Sequence, residues 1–229
     1  DAINGLEKLG VPAYKVASFD LTDDQLISEI ASKGKPIILS TGMATWMDIQ
    51  NAIDAAKNVG NDKLILLQCT SLYPAPVNLT NLRAMLSMQT AFNTLVGYSD
   101  HTMGDHISLA AVAMGACVIE KHFTLDRTMP GPDQKASLEP QEFKELVEAI
   151  RSAEASLGEE KKKTQPCELE NLDIARKSLY AARTISAGQR FSEKDIEIKR
   201  PAGGMSPMRY WEILGSIARE EIPKGKPIR

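Results

Sequence analysis

Five short apolar runs recur along the chain at spacings of roughly 20 to 30 residues. A stretch with the composition of a helix follows each of them. The runs show no alternation of polar and apolar residues, which is typical of strands covered on both faces, so the pattern predicts a parallel α/β sheet. Reactive polar side chains come directly after the runs, as they do at the rim of a TIM barrel. The runs occupy residues 13–17, 36–40, 64–69, 95–96 and 117–119.

A TIM (β/α)8 barrel has eight strands, and this sequence predicts five. Two interpretations remain from the pattern alone. The chain forms an open α/β sheet, or it holds the last five βα units of a barrel whose beginning lies outside the sequence. The missing initiator methionine and the start within a helical pattern favour the second interpretation.

The character of the sequence changes after residue 158. Residues 1–158 are expected to form the barrel part, 159–175 a polar linker, and 176–229 a small β-rich module with strands near 176–183 and 196–200. Within the barrel part, Thr22 and Thr45 stand where an N-cap hydroxyl is expected before a helix.

Composition excludes several classes of protein. A net charge of −3 gives no reason to expect a nucleic-acid or anionic-membrane partner, and no apolar run approaches the ~18 residues that span a bilayer. Cys69 and Cys117 fall in apolar runs, so we expect reduced, buried, structural thiols and a cytoplasmic protein.

Two of the three histidines, His101 and His122, follow the fourth and fifth apolar runs. Residues 107–114 between them have the composition of a crossover helix. In such a strand–helix–strand unit, both imidazoles emerge at the same end of neighbouring parallel strands. The spacing is compatible with a shared transition-metal ion and also with two structural histidines. The third, His106, is expected to face solvent.

Other polar residues also follow the strands. Lys15, Ser18 and Ser40 predict a rim that faces an anionic, oxygen-rich ligand. Asp133 is either a turn residue or a functional acid in the loop after the last strand. Arg200, before Pro and two glycines, is either a surface residue or one that approaches a ligand.

Several motifs occur in a recognisable order. Together they resemble the sialic acid synthase family, and the segment 183–227, with KRP at 199–201, resembles that family's C-terminal antifreeze-like (SAF) domain. The motifs are YKVAS at 14–18, LSTGM at 39–43, QCTSLYP at 68–74, GYSDHT at 97–102, EKHFT at 120–124, GPD at 131–133 and ASLEP at 136–140.

The resemblance implies a TIM barrel, of which the chain holds the last five βα units, followed by a SAF domain. It also implies that roughly the first third of the family's length is absent, and that the enzyme is a domain-swapped homodimer. The implied reaction condenses phosphoenolpyruvate with an N-acylated mannosamine-type sugar, releasing phosphate and a nine-carbon 2-keto acid.

The resemblance also assigns roles to residues. His101 and His122 would bind a divalent metal, usually manganese, with magnesium or cobalt as alternatives. Substrate would contact Lys15, Ser18, Ser40, Ser71, Tyr73, Ser99 and, in the partner chain's site, Arg200. Asp20, Glu120 and Asp133 would be the catalytic acids, of which Asp20 would accept a proton. Asp20 stands where the family often has Glu, and Ser71 stands where some members have Asn.

Other readings keep or change the reaction. A legionaminate, pseudaminate or spore-coat polysaccharide synthase would run the same chemistry on another sugar. Residues 17–20 lean toward that group, whereas 135–139 lean toward the neuraminate and legionaminate types. A non-catalytic carbohydrate-binding fragment is the alternative from a different class, because five strands cannot close a barrel.

Overall fold

A computed structural model describes residues 2–229, which divide into two compact units at Gly158 and Glu159. The first unit begins with helix α1 (Ala2–Lys8) and then alternates strands and helices. The order is β1 (Tyr14–Val16), α2 (Asp24–Ala31), β2 (Ile37–Ser40), α3 (Trp46–Asn58), β3 (Leu64–Cys69), α4 (Arg83–Phe92), β4 (Leu95–Asp100), α5 (His106–Ala113), β5 (Ile119–Lys121) and α6 (Pro140–Leu157). All five strands pair in parallel in the order β1-β2-β3-β4-β5. This confirms the parallel α/β architecture.

The sheet curls into part of a barrel. In a flat sheet, β1 and β5 would lie about 19 Å apart, since neighbouring strands are separated by ~4.8 Å. Instead, Lys15 of β1 and Glu120 of β5 form an ion pair, with 3.4 Å between Nζ and Oε2. Their side chains therefore meet across the concave face. On the other face, Tyr14, Val16 and Leu39 are buried in the core formed with the helices.

Local details differ from the sequence predictions at two places, Thr22 and Cys117. Thr45 caps α3 in a reciprocal capping box with Asp48, as predicted. The prediction for Thr22 was wrong, because Asp23 caps α2 and accepts a hydrogen bond from the amide of Leu26. Cys69 is buried as expected, but Cys117 is exposed. It precedes β5, which is the last strand in the sheet order, and within residues 2–229 no further strand pairs with β5 on its outer edge.

The second unit comprises residues 159–229. The predicted linker carries helix α7 (Leu169–Ala175), and β6 (Ser178–Ala181) pairs antiparallel with β7 (Ile196–Lys199) before the short helix α8 (Tyr210–Ile213). All four residues of β6 are buried. The small core of the second unit includes Leu179, Ile185 and Phe191.

Of the helices in residues 2–229, each is too short or too polar to cross a lipid bilayer.

Gly97, in β4, lies in a crowded part of the first unit. A Cβ there would overlap the carbonyl oxygen of Val118 and would lie 2.6 Å from Leu67 Cδ2. We expect Gly97→Ala to lower the free energy of unfolding by about 1–3 kcal/mol, because a neighbouring backbone atom must move. Urea denaturation followed by circular dichroism measures this. Gly5→Ala, in open space within α1, should be neutral or slightly stabilising; equal losses would contradict the argument.

Asp195 makes the second unit sensitive to acid. Its buried carboxylate accepts hydrogen bonds from Arg183 and Ser192, and the Arg183 guanidinium is the main cause that lowers the pKa of Asp195. As the pH falls below about 4, the unfolded carboxyl takes up a proton before the folded one does. We therefore expect the free energy of unfolding of the second unit to decrease as the pH falls through this range. In Asp195→Asn, this free energy should decrease less between pH 7 and pH 3, as measured by denaturation at both pH values.

Candidate functional site

The two predicted histidines meet at the carboxyl ends of adjacent strands. His101 is the first residue after β4 and His122 the first after β5, and these strands are parallel neighbours. Their ring centroids lie 5.3 Å apart, with the ring planes at 81°. Tyr73, from the loop after β3, stacks on His101 at 4.1 Å and lies 5.2 Å from His122. His106, by contrast, is exposed on α5, as predicted.

The orientation of His101 is set by a backbone carbonyl. Its Nδ1 lies 2.7 Å from the carbonyl oxygen of Thr70, which can only accept, so Nδ1 carries a proton. Nε2 lies 3.2 Å from Ser99 Oγ, but that hydroxyl donates its hydrogen to Glu120 Oε1 at 2.7 Å. Burial lowers the pKa of His101. A neutral ring with a free Nε2 lone pair follows.

His122 is more open to solvent. Its Nδ1 lies 3.9 Å from Asp133 Oδ2, which is beyond hydrogen-bond distance. Half of the Asp133 side chain is exposed. Burial, and after it the nearby acidic groups, raises the pKa of Tyr73, so this residue presents a neutral hydroxyl beside both imidazoles.

The chemistry of these donors fits a divalent transition metal. Imidazole nitrogen suits such ions, and a carbonyl that holds the other ring nitrogen is the usual way to orient a histidine ligand. Within residues 2–229, His, Cys, Asp and Glu side chains form no group of three placed to hold an ion. The two histidines alone would leave coordination positions for other ligands.

Ser99, Glu120 and Lys15 extend the site along the concave face. Ser99 and Glu120 are register partners on β4 and β5, and Lys15 pairs with the second carboxylate oxygen of Glu120. The result is a continuous chain of polar contacts from Lys15 to His101. Charge and hydrogen-bonding capacity are thus concentrated on the face that a ligand would enter.

A group of small polar residues lies at the ends of β1, β2 and β3. Ser18 Oγ accepts a hydrogen bond from the amide of Gly42 at 2.9 Å and lies 3.2 Å from Cys69 Sγ. The hydroxyls of Ser40 and Ser71 are buried and have no hydrogen-bond partner in the part of the chain that the structure describes. Buried hydroxyls are normally paired, so these two are available to a ligand or to water.

Two predicted site residues are not brought into these contacts. Asp20 is exposed in a single 3-10 turn after β1, and its carboxylate has no polar side-chain contact within residues 2–229. Arg200 lies in the second unit, where its Nε donates to the carbonyl of Ala175 at 2.5 Å. Their roles stay predictions.

Sequence reasoning missed the supporting residues. The Thr70 carbonyl has no side-chain signature, and nothing in the sequence predicted its contact with His101. Asp100, which the sequence shows only as one letter of the motif at 97–102, is fully buried and pairs with Lys121 at 3.1 Å. Gly42 leaves the space into which Ser18, Cys69 and Ser71 converge. The only sequence feature that pointed to Asp100 and Gly42 was their position within the motifs at 97–102 and 39–43.

Comparisons with known proteins cover the whole chain. Residues 1–162 match the model of the NeuB family and residues 176–229 that of the SAF domain. The N,N'-diacetyllegionaminic acid synthase of Campylobacter jejuni is 48% identical over 100% of this chain and 69% of its own length. A pseudaminic acid synthase of the same species is 40% identical over 99% of this chain and 66% of its own.

A solved structure shows the same architecture. The N-acetylneuraminic acid (sialic acid) synthetase of Leptospira borgpetersenii, crystallised with citrate, superimposes with a TM-score of 0.68 at 38% identity. The match covers 74% of this chain and 59% of that one. The chain therefore spans about three fifths to two thirds of the length of the proteins that it matches.

Proposed function

The chain belongs to the NeuB family, and from this premise we propose that its protein condenses phosphoenolpyruvate with an N-acylated amino sugar. Its relatives include synthases of legionaminic and pseudaminic acids, which supports an enzyme of sialic-acid-type sugar synthesis. One observation carries the finer proposal. His101 and His122 converge at the end of the polar contacts that run from Lys15 through Glu120 and Ser99, and the unpaired hydroxyls of Ser40 and Ser71 lie at the ends of neighbouring strands of the same sheet.

Different residues would bind different groups of the substrates and the metal ion. Lys15 offers a positive charge for the phosphate or carboxylate of phosphoenolpyruvate, and Ser40 and Ser71 offer hydroxyl donors to its oxygens. His101 and His122 would hold a divalent ion, with manganese as the proposed one. Such an ion, when bound, supplies Lewis-acid polarisation of the sugar's carbonyl oxygen. Ser99 positions Glu120, so its carboxylate can orient a sugar hydroxyl or water.

The proposed reaction forms one carbon–carbon bond. The methylene carbon of phosphoenolpyruvate attacks the aldehyde carbon of the open-chain sugar, whose oxygen takes up a proton. A water oxygen adds to the phosphate-bearing carbon, and its proton goes to Asp20. The bond between that carbon and the phosphate oxygen then breaks, and the proton of the remaining hydroxyl leaves with the phosphate, so that a 2-keto acid is formed. The proton held by Asp20 balances the one that the sugar oxygen has taken up. Asp133, near His122, would orient the sugar, and Arg200 of a partner chain in a homodimer would contact its acyl group.

The identity of the sugar has a second candidate. A relative at 48% identity makes N,N'-diacetyllegionaminic acid, which carries two N-acyl groups. A precursor with two N-acyl groups is therefore the alternative to an N-acetylmannosamine-type precursor with one. Spore-coat polysaccharide precursors remain a further alternative within the same reaction class.

Phosphate release tests the proposal. The protein is incubated with phosphoenolpyruvate, Mn²⁺ and a panel of mono-N-acyl and di-N-acyl hexosamines, and free phosphate is measured over time. We expect release that requires both the metal and one class of sugar. Binding of a sugar by calorimetry without metal, together with no phosphate release from any pair, would instead identify a carbohydrate-binding module.

Gly42→Ala should impair this reaction. A Cβ at residue 42 would overlap Ser71 Oγ and lie 2.8 Å from Ser18 Oγ, so both hydroxyls must move. Since a displacement of ~1 Å can reduce turnover about a hundredfold, we expect a loss of that order in phosphate release. Gly5→Ala, in open space on α1, serves as the matched control. Unchanged turnover of Gly42→Ala would remove Ser18 and Ser71 from the proposed site.

A further inference from the structure

We propose that Asp100 and Lys121 are a buried positioning pair, which sets the spacing of the two imidazoles at the rim. The pair joins the last residues of β4 and β5, and each member directly precedes a histidine: Asp100 precedes His101, and Lys121 precedes His122. Their side chains are 0% and 1% exposed, with 3.1 Å between Asp100 Oδ2 and Lys121 Nζ. The inference rests on the proposed metal-binding role of the histidines.

The pair and the histidines lie on opposite faces of the sheet. Successive residues of a strand point to opposite sides, and Asp100 and Lys121 are direct register partners. Asp100 Oδ2 also accepts a hydrogen bond at 2.6 Å from Ser108 of α5, which shows that it faces the helices. An ionic contact on the helix side therefore aligns the strand ends whose next residues present imidazoles on the other side.

The same carboxylate fixes the backbone beyond His101. Asp100 Oδ1 accepts hydrogen bonds from the amide of Thr102 at 2.8 Å and from its hydroxyl at 2.7 Å. Lys121 Nζ donates to the carbonyl of Thr102 at 2.5 Å. His101 is thus held between two anchored neighbours, and the cation that precedes His122 completes both anchors.

Stability alone does not account for an ion pair at this position. Burying two charges costs desolvation, and apolar residues of similar volume usually serve a core as well or better. An ion pair, unlike an apolar contact, fixes the direction in which its two side chains meet and the register of the two strands that carry them. Two histidines that converge on one ion require both to be fixed. Outer contacts of this kind commonly orient metal-binding residues.

The test separates spacing from stability. In Asp100→Asn/Lys121→Met, the amide can still accept from Thr102 while the ionic contact is lost and no lone charge stays buried. Mn²⁺ alone is titrated into the full chain by calorimetry, and we expect binding at least about tenfold weaker than in the unchanged protein. The control is Ile53→Ala, which shortens a buried side chain of α3 and should lose stability without weakening Mn²⁺ binding.

A second readout keeps the inference independent of the metal. Nuclear Overhauser effects between the ring protons of His101 and His122 report their spacing in metal-free protein, and we expect them to weaken in the double variant and persist in Ile53→Ala. Affinity and ring contacts that both match the unchanged protein would overturn the inference. If the unchanged protein fails to bind Mn²⁺, the proposed function fails, and the ring contacts alone then decide whether the pair sets the spacing.

Discussion

Replacing His101 with alanine is expected to lower metal-dependent phosphate release about a thousandfold. The change removes Nε2, the proposed metal-binding nitrogen. Its lone pair is free because Nδ1 carries the proton that is donated to the Thr70 carbonyl and because the Ser99 hydroxyl donates to Glu120. Lewis-acid stabilisation by a bound metal contributes several kcal/mol, and each ~1.4 kcal/mol corresponds to a factor of ten in rate. Initial rates of phosphate release at saturating Mn²⁺ measure the effect.

The chain contains its own matched control. His106→Ala changes the same residue type on the exposed side of α5 and should leave turnover within about twofold, since exposed substitutions away from a site are usually mild. His122→Ala should lower phosphate release about as much as His101→Ala, because both rings are proposed ligands of the same metal ion. If His101→Ala kept metal-dependent turnover near that of His106→Ala, the assignment of the metal ligands would be wrong.

Asp100→Asn should cost more stability than any other single change considered in the first unit. Lys121 is 1% exposed, and without Asp100 its ammonium group would be buried beside a neutral amide. Removing one member of a buried ion pair typically destabilises by about 3–5 kcal/mol, because the remaining charge is uncompensated. The free energy of unfolding from urea titrations, compared with that of the unchanged protein, measures the loss.

Two further variants serve as controls for this measurement. Asp62→Asn alters an exposed acid and should change the free energy of unfolding by no more than about 0.5 kcal/mol. Adding Lys121→Met to Asp100→Asn removes the stranded charge and should recover much of the lost stability. A double variant that is less stable than Asp100→Asn alone would show that the loss arises from packing rather than from an unpaired charge.

The sequence predicted the parallel sheet because burial on both faces leaves continuous apolar runs such as 64–69. It also predicted that His101 and His122 would share one rim, since parallel neighbours necessarily end at the same edge. Both predictions follow from chain direction and hydrophobicity, which are local properties. The confirmed cap at Thr45 has the same character, because a capping box lies within four residues.

Local rules were insufficient where two groups competed or where distant parts met. Thr22 and Asp23 are both good capping residues, and the exact start of α2 decided between them. Cys117 looked buried from its apolar neighbours, but its exposure depends on the place of β5 at the end of the sheet order. No pattern within a few residues contains that information.

The sequence by itself determined the architecture, the rim and the chemical identity of the groups on it, because strand direction and side-chain alternation are carried by neighbouring residues. Only the tertiary structure decided which groups touch. The curl that joins Lys15 to Glu120, the Thr70 carbonyl that orients His101, and the ion pair behind the histidines all link residues from different strands or loops. Such contacts depend on how far the sheet bends and which strand ends align, and these follow from packing of the whole unit.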